Sequence, residues 1–213
     1  GFAKVGFGTF FKNSLFISIT ATIGTVLSSS VVAYGFARCK FPGRKLLFAA
    51  MLASMMLPAQ VLMIPQYLWY QKLNWVGTNL PLIVPYCFAI QGFFVYMMTN
   101  FIEGIPRELD EAAKIDGANG WKTFWKITVP LLKPTIIMTF IMSINGTLQL
   151  FDESVNLTKG GPANSTITMS HYIYNTCFIN VPNFGYAAAM SFIIFIMVAV
   201  LAFINLKVGD TRD

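Results

Sequence analysis

The sequence predicts an all-α membrane protein, a polytopic helical bundle with about five transmembrane helices and one short cytoplasmic helix between them. Three observations carry this. Of the 213 residues, 55% are hydrophobic and only 11% charged, whereas a soluble domain carries about 25% charged residues. The charges leave long uncharged stretches at 13–37, 46–71, 73–102, 134–151 and 160–206, and about 20 apolar residues cross a hydrocarbon core. Five of the nine acidic residues, Glu103, Glu108, Asp110, Glu111 and Asp116, gather in one polar island.

Spans are expected near 13–36, 46–68, 82–101, 134–151 and 186–206. The first carries Ala21, Gly24, Thr25 and Ser28 on one side, small residues that let helix backbones approach in lipid. The same stripe could line a pathway. A basic turn follows with Arg38, Lys40, Arg44 and Lys45, read as a topology anchor against anionic lipid. The second span contains Pro58 and ends with Pro65; a proline frees a carbonyl and bends a membrane helix. Gln60 beside the bend is a candidate pore-lining group. Trp69, Tyr70 and Trp75 suit the outer interface. In the fourth span Asn145, Gln149 and Asp152 recur at i, i+4 and i+7. Polar groups inside a membrane are expensive and face protein or water, so these three are candidates for solute contact or for pairing within the bundle. Residues 163–182 form a mildly amphipathic segment with room for a short outer helix, and the last span reads as plain lipid-facing packing.

The loop 103–133 holds the island. Pro106 suits a first helical position, and Glu108, Asp110 and Glu111 favour the positive end of a helix dipole. Lys114 favours the negative end, and Gly117 supplies a left-handed stop. A helix over about 106–116 follows, with Leu109, Ala112, Ala113 and Asp116 along one side. Isolated helices this short are marginal in water, and alanines give this one little to bury, so it needs a partner surface. A second short helix runs from an Asn119 cap to Val129, ended by Pro130. From pattern alone the pair would serve equally as simple connectors.

Spacing adds to that reading. Glu111-Ala112-Ala113, three residues, Gly117, nine residues, then Ile127-Thr128-Val129-Pro130 resembles the signature loop of permease subunits of binding-protein-dependent ABC importers, with Val129 the one departure. The run EAAKIDGA resembles the carbohydrate-uptake, maltose-type branch, as do AYGFARCKFPGRK and LTKGGPANST. The resemblance implies an ATPase-coupling role for Glu111, Ala112, Ala113, Asp116 and Gly117. It also implies a second permease subunit, two ATP-binding cassette subunits, an extracytoplasmic solute-binding protein and a sugar as cargo. The setting would be a prokaryotic cell membrane, with residues 1–213 one permease domain and no catalysis of its own.

Orientation rests on basic residues in short loops. Eleven of the fifteen Lys and Arg, in 37–45, 102–133 and the tail, fall on one side. Lys4, Lys12, Lys72 and Lys159 fall on the other. The signature loop and C-terminus are therefore expected in the cytoplasm and residue 1 outside, which together with the family's usual six spans implies a further span before residue 1.

Other classes fit poorly. There is no G-x-x-x-x-G-K-[ST] phosphate loop, so ATP chemistry would sit on another subunit. One histidine, His171, gives no multi-histidine metal site, and it reads as a packed or surface residue. Cys39, Cys87 and Cys177 imply no disulfide. No cofactor is expected, and the net charge of +6 reflects loop lysines, not a nucleic-acid stripe. The alternatives are a stand-alone secondary transporter or channel, which would need mid-span carboxylates, and an intramembrane enzyme, which lacks a nucleophile–base pair.

Overall fold

The computed structural model describes residues 7–209; Lys4 and Arg212 of the charge balance lie outside the described residues. Every regular element among the described residues is helical. Three helices are long and apolar enough to cross a membrane, Phe7–Arg38, Leu80–Gly104 and Phe184–Ile204. The number rises to five if each of two bent pairs forms one span.

Helix α1 (Phe7–Arg38, 32 residues) is the post of the bundle. At 1.5 Å per residue it is about 48 Å long, well beyond the ~30 Å hydrocarbon core, so it overruns the predicted 13–36 at both ends. Its buried side is small and hydroxylated, with Ser14, Ser18, Ala21, Thr22, Thr25 and Ser29. Its other side exposes Phe16, Ile19, Ile23, Leu27 and Val31. The small side packs against α5 (Gly92–Gly104), α9 (Lys133–Leu148) and the segment 80–88. Thr22 and Thr147 hydroxyls meet at 3.4 Å across the α1–α9 seam. A Cβ on Gly24 would fall 2.6 Å from the Cys87 sulfur. The small stripe therefore serves packing.

The second predicted span is not one rod. Helix α2 (Arg44–Ser54) stops, the chain turns by 105°, and α3 (Ala59–Lys72) starts behind Pro58. Pro58 takes an extended conformation (φ −60°, ψ 133°), which no helix can continue through. Pro65, expected at the end of the span, lies inside α3. Tyr70 is buried and stacks on Trp75 at 5.7 Å, so it belongs to the bundle and not to the outer lipid boundary.

The third span is also interrupted. Helix α4 (Leu80–Ile83) passes into a 3₁₀ turn at Val84–Phe88, Ala89 takes a left-handed φ of 52°, and α5 restarts at Gly92. Backbone groups freed at such a break need partners in an apolar setting. Ser28 supplies them from α1. Its hydroxyl accepts the Ala89 N–H at 3.1 Å, and its single hydrogen is shared between the Gly24 carbonyl at 2.7 Å and the Tyr86 carbonyl at 3.1 Å.

After α6 (Glu108–Ile115), α7 (Gly120–Thr123) runs through a π turn at Phe124–Thr128 into α8 (Val129–Leu131). Pro130 was expected to end this helix and does not. The Val129 N–H reaches back five residues to the Phe124 carbonyl, so Pro130 opens a new turn, where a missing N–H costs little. A 74° bend follows, and α9 ends at Leu148 rather than 151. Beyond α9 the chain holds a π turn at Ser154–Thr158, α10 (Met169–Tyr174) with a π turn to Ile179, and α11 (Phe184–Gly209). Ser14 accepts the Met169 N–H at 2.9 Å and ties this region to α1.

Replacing Ser28 by alanine is expected to leave the Ala89 N–H unpaired and cost about 1–3 kcal/mol, read as a lower thermal midpoint in detergent. Thr20→Ala, whose hydroxyl bonds only the Phe16 carbonyl of its own helix, should stay within about 0.5 kcal/mol of the parent.

Candidate functional site

The polar island forms a short helix held between the ends of α1 and α5. Pro106 forces its predecessor out of the helical region, and Ile105 is extended (φ −75°, ψ 127°). That turns the chain and leaves the Ile105 carbonyl free. Helix α6 then begins at Glu108, two residues later than expected, with Glu108, Asp110 and Glu111 in its first turn and Lys114 in its last. Its end is a Schellman motif. The Ala118 N–H bonds the Ala113 carbonyl at 2.8 Å, and the Gly117 N–H bonds the Lys114 carbonyl at 3.0 Å. Gly117 sits at φ +78° with open space around its α-carbon, so it is the backbone conformation, not crowding, that calls for glycine. Asn119 caps α7, its side chain accepting the Lys122 N–H at 2.9 Å.

The brace beneath α6 is ionic. Arg38, the last residue of α1, places its Nε 2.9 Å from the Asp110 carboxylate, with the side chains only 7% and 16% exposed. The same guanidinium donates to the Ile105 carbonyl at 2.7 Å. One turn earlier, the Tyr34 hydroxyl donates to the Gly120 carbonyl at 3.3 Å, and its ring meets Phe124 edge-on. Arg44 pairs with Glu103 nearer the surface at 2.9 Å. Two of the four basic residues read as a lipid-facing anchor are thus occupied within the chain.

The predicted coupling residues divide between two sides. Glu111, Ala112, Asp116 and Gly117 are exposed, while Ala113 is buried against the chain itself. The free side of α6 therefore carries Leu109, Ala112 and Ile115, with Asp116 beside them. Ile115 is 87% exposed. Trp121 and Trp125, both exposed, flank the same loop.

The four path candidates do not converge. Gln149 donates to Asn145 at 2.8 Å on α9, and Gln149 borders a hollow of about 520 Å³ with Ser170, Tyr174 and Ser191. Gln60 lies elsewhere, in a groove of about 320 Å³ with Tyr67, Asn156 and Lys159. Asp152 is exposed and past the end of α9, so it does not extend the Asn145–Gln149 stripe. His171 is packed, not exposed. Its Nδ1 lies 2.9 Å from the Ser154 hydroxyl, which itself donates to the Thr166 carbonyl. The ring nitrogen is then the donor, and burial lowers the His171 pKa. A serine so committed is no free nucleophile.

Known proteins resemble this chain throughout. The family model described as binding-protein-dependent transport system inner membrane component matches residues 26–209. The lactose transport system permease protein LacF of Rhizobium radiobacter is 48% identical over 123 residues, 57% of this chain and 41% of that protein. The trehalose/maltose transport system permease protein MalF of Thermococcus litoralis is 33% identical over 143 residues, 65% of this chain and 48% of that protein. The chain thus spans less than half the length of these relatives. In fold it is similar to a chain of a bacterial ABC transporter involved in the import of the acidic polysaccharide alginate, with a TM-score of 0.78, 22% identity, and coverage of 97% and 75% of the two chains. A chain of the MetNI methionine ABC transporter gives a TM-score of 0.66 at 18% identity, covering 92% of this chain and 91% of that one. With the loop geometry and the family match in agreement, the chain belongs to the binding-protein-dependent transport system inner membrane components.

Proposed function

We propose that this chain is the transmembrane subunit of an ATP-driven importer, contributing half of a translocation pathway for a sugar and hydrolysing no ATP itself. The observation that carries the proposal is the exposed Leu109–Ala112–Ile115 side of α6, braced from beneath by the buried Arg38–Asp110 pair. A small apolar face on a fixed rod is suited to a socket on another subunit, and the brace passes displacement of the rod into α1. Glu111, Asp116 and Gly117 edge that face; Ala113 seats it. The partners are a second permease subunit, two ATPase subunits and a solute-binding protein outside a prokaryotic inner membrane. The relatives named for lactose and for trehalose and maltose favour a saccharide.

Coupling is a matter of unequal affinity. ATP shifts the transmembrane equilibrium only if the ATPase holds the two positions of α6 differently. A stand-alone secondary transporter would need carboxylates in mid-span; α1, α9 and α11 carry none among their described residues, α5 has only Glu103 near its end, and Asp152 and Glu153, which come closest, lie past the end of α9.

In membranes containing the whole assembly, Ile115→Arg and Gly117→Pro are expected to abolish ATP-driven uptake of lactose or maltose while the chain still inserts and co-purifies with its partner permease. Uptake retained by both variants contradicts the proposal. Arg38→Ala should weaken the assembly as well. Removing one member of a fully buried pair costs about 3–5 kcal/mol, less here because Asp110 is 16% exposed on its side chain. Sidedness has a separate check. With Cys87 and Cys177 replaced by serine, the exposed thiol of Cys39 should resist an impermeant maleimide in intact cells and react after permeabilisation. The reverse pattern would put the loop outside.

A further inference from the structure

A cavity of about 260 Å³ lies between α3, the broken segment 80–91 and the stretch that begins the Ser154–Thr158 π turn. Its polar lining comes from Gln66 and Tyr70 of α3, Tyr86 and Gln91 of the break before α5, Glu153, and Ser54 at the end of α2. Between them lie apolar side chains such as Leu57 and Ile90. None of the four path candidates lines it.

Glu153 is the unexplained group. It is half-buried and its carboxylate bonds its own backbone, yet among the described residues neither ion pair involves it. Burial raises its pKa, opposed by the backbone hydrogen bond and aided by the Asp152 charge beside it; in its neutral form the group is at once a donor and an acceptor. No Lys or Arg lines the cavity. An acidic ligand would meet a carboxyl group and nothing to balance its charge. Amides, phenols and one carboxyl set among apolar walls instead match a neutral polyhydroxylated solute, whose hydroxyls take the polar groups and whose C–H faces lie on the rings. The volume is below that of ordinary ligand pockets, roughly 300–1,000 Å³, and suits a single ring rather than a chain.

We propose that Glu153, with Gln66, Tyr70, Tyr86 and Gln91, forms a hydroxyl-binding subsite of the translocation pathway that takes one neutral sugar unit and rejects an acidic one. This rests on the importer reading above and adds to it the residue that contacts the cargo and the cargo's charge class.

The test uses the complete complex in proteoliposomes, with radiolabelled lactose and maltose as probes and ATP hydrolysis followed in parallel. Glu153→Leu is expected to lower sugar delivered per ATP by about tenfold or more, because sugar hydroxyls that bonded the carboxyl group are left unpaired, with ATPase stimulation by the loaded binding protein unchanged. Glu153→Gln, which keeps a donor and an acceptor, should remain within about twofold of the parent. Unaltered delivery in Glu153→Leu overturns the assignment. So does a Glu153→Gln variant as impaired as Glu153→Leu, because the charge and hence a cation would then be the requirement. If Glu153→Leu does not assemble, the decision passes to Gln91→Cys in an otherwise parental complex. Lactose or maltose should slow its maleimide labelling and a uronic acid disaccharide should not; no protection by the neutral sugars, or equal protection by the acidic one, overturns the proposal. Should the parent complex take up neither sugar with ATP, the importer reading itself has failed, a result separate from these.

Discussion

A guanidinium and a carboxylate largely withdrawn from water, side by side, tie three elements of this structure together. Ionic groups enter a protein interior only when paired and hydrogen-bonded, and Arg38 meets both conditions through Asp110 and the Ile105 carbonyl. The second bond exists because Pro106 keeps Ile105 extended and its carbonyl unclaimed by helix. One side chain thereby joins the end of α1, the end of α5 and the first turn of α6. With Tyr34 gripping α7 from one turn earlier, the loop becomes an extension of α1.

The rest of the bundle is arranged so that α1 can act as that extension. Its small, hydroxylated side admits α5 and α9 at close range, and its apolar side faces outward. Around it stand helices that are broken. The breaks at Pro58 and at Ala89 create backbone groups without helical partners, and Ser28 on α1 satisfies those at the second. Irregular backbone at such depth is tolerated where it is covered by protein or borders a cavity. The break before α5 does both, since Tyr86 and Gln91 border the cavity that holds Glu153.

What could be read in the sequence was what is decided locally. The caps of α6 and α7 depend on residues within a few positions, so Gly117 and Asn119 take the roles their spacing implied. The spans were legible as uncharged lengths, though their interruptions were not. Pro58 announces a bend, but the 105° turn depends on what packs behind it. Pro130 reads as a stop, and only the π turn before it lets the helix run on. Arg38 and Asp110 lie far apart in the chain, and nothing local marks them as partners, so Arg38 read as one more surface cation. Ala113 looked like part of a docking face because helical periodicity gives the sides of a rod without saying which one the bundle covers. Glu153 was overshadowed by Asp152 for the same reason: which of two adjacent carboxylates turns inward is set by the end of α9 at Leu148 and the turn beyond it.

The central claim, that α6 and the end of α1 move as one body, is tested most directly by pulsed electron resonance between spin labels at Val31 on the exposed side of α1 and at Lys114, exposed on α6 away from its Leu109–Ala112–Ile115 side, in the complete assembly with and without bound ATP. The account predicts a distance that stays constant through the cycle while both labels shift relative to α11. A change between the two labels on ATP binding, with α1 stationary, would contradict it.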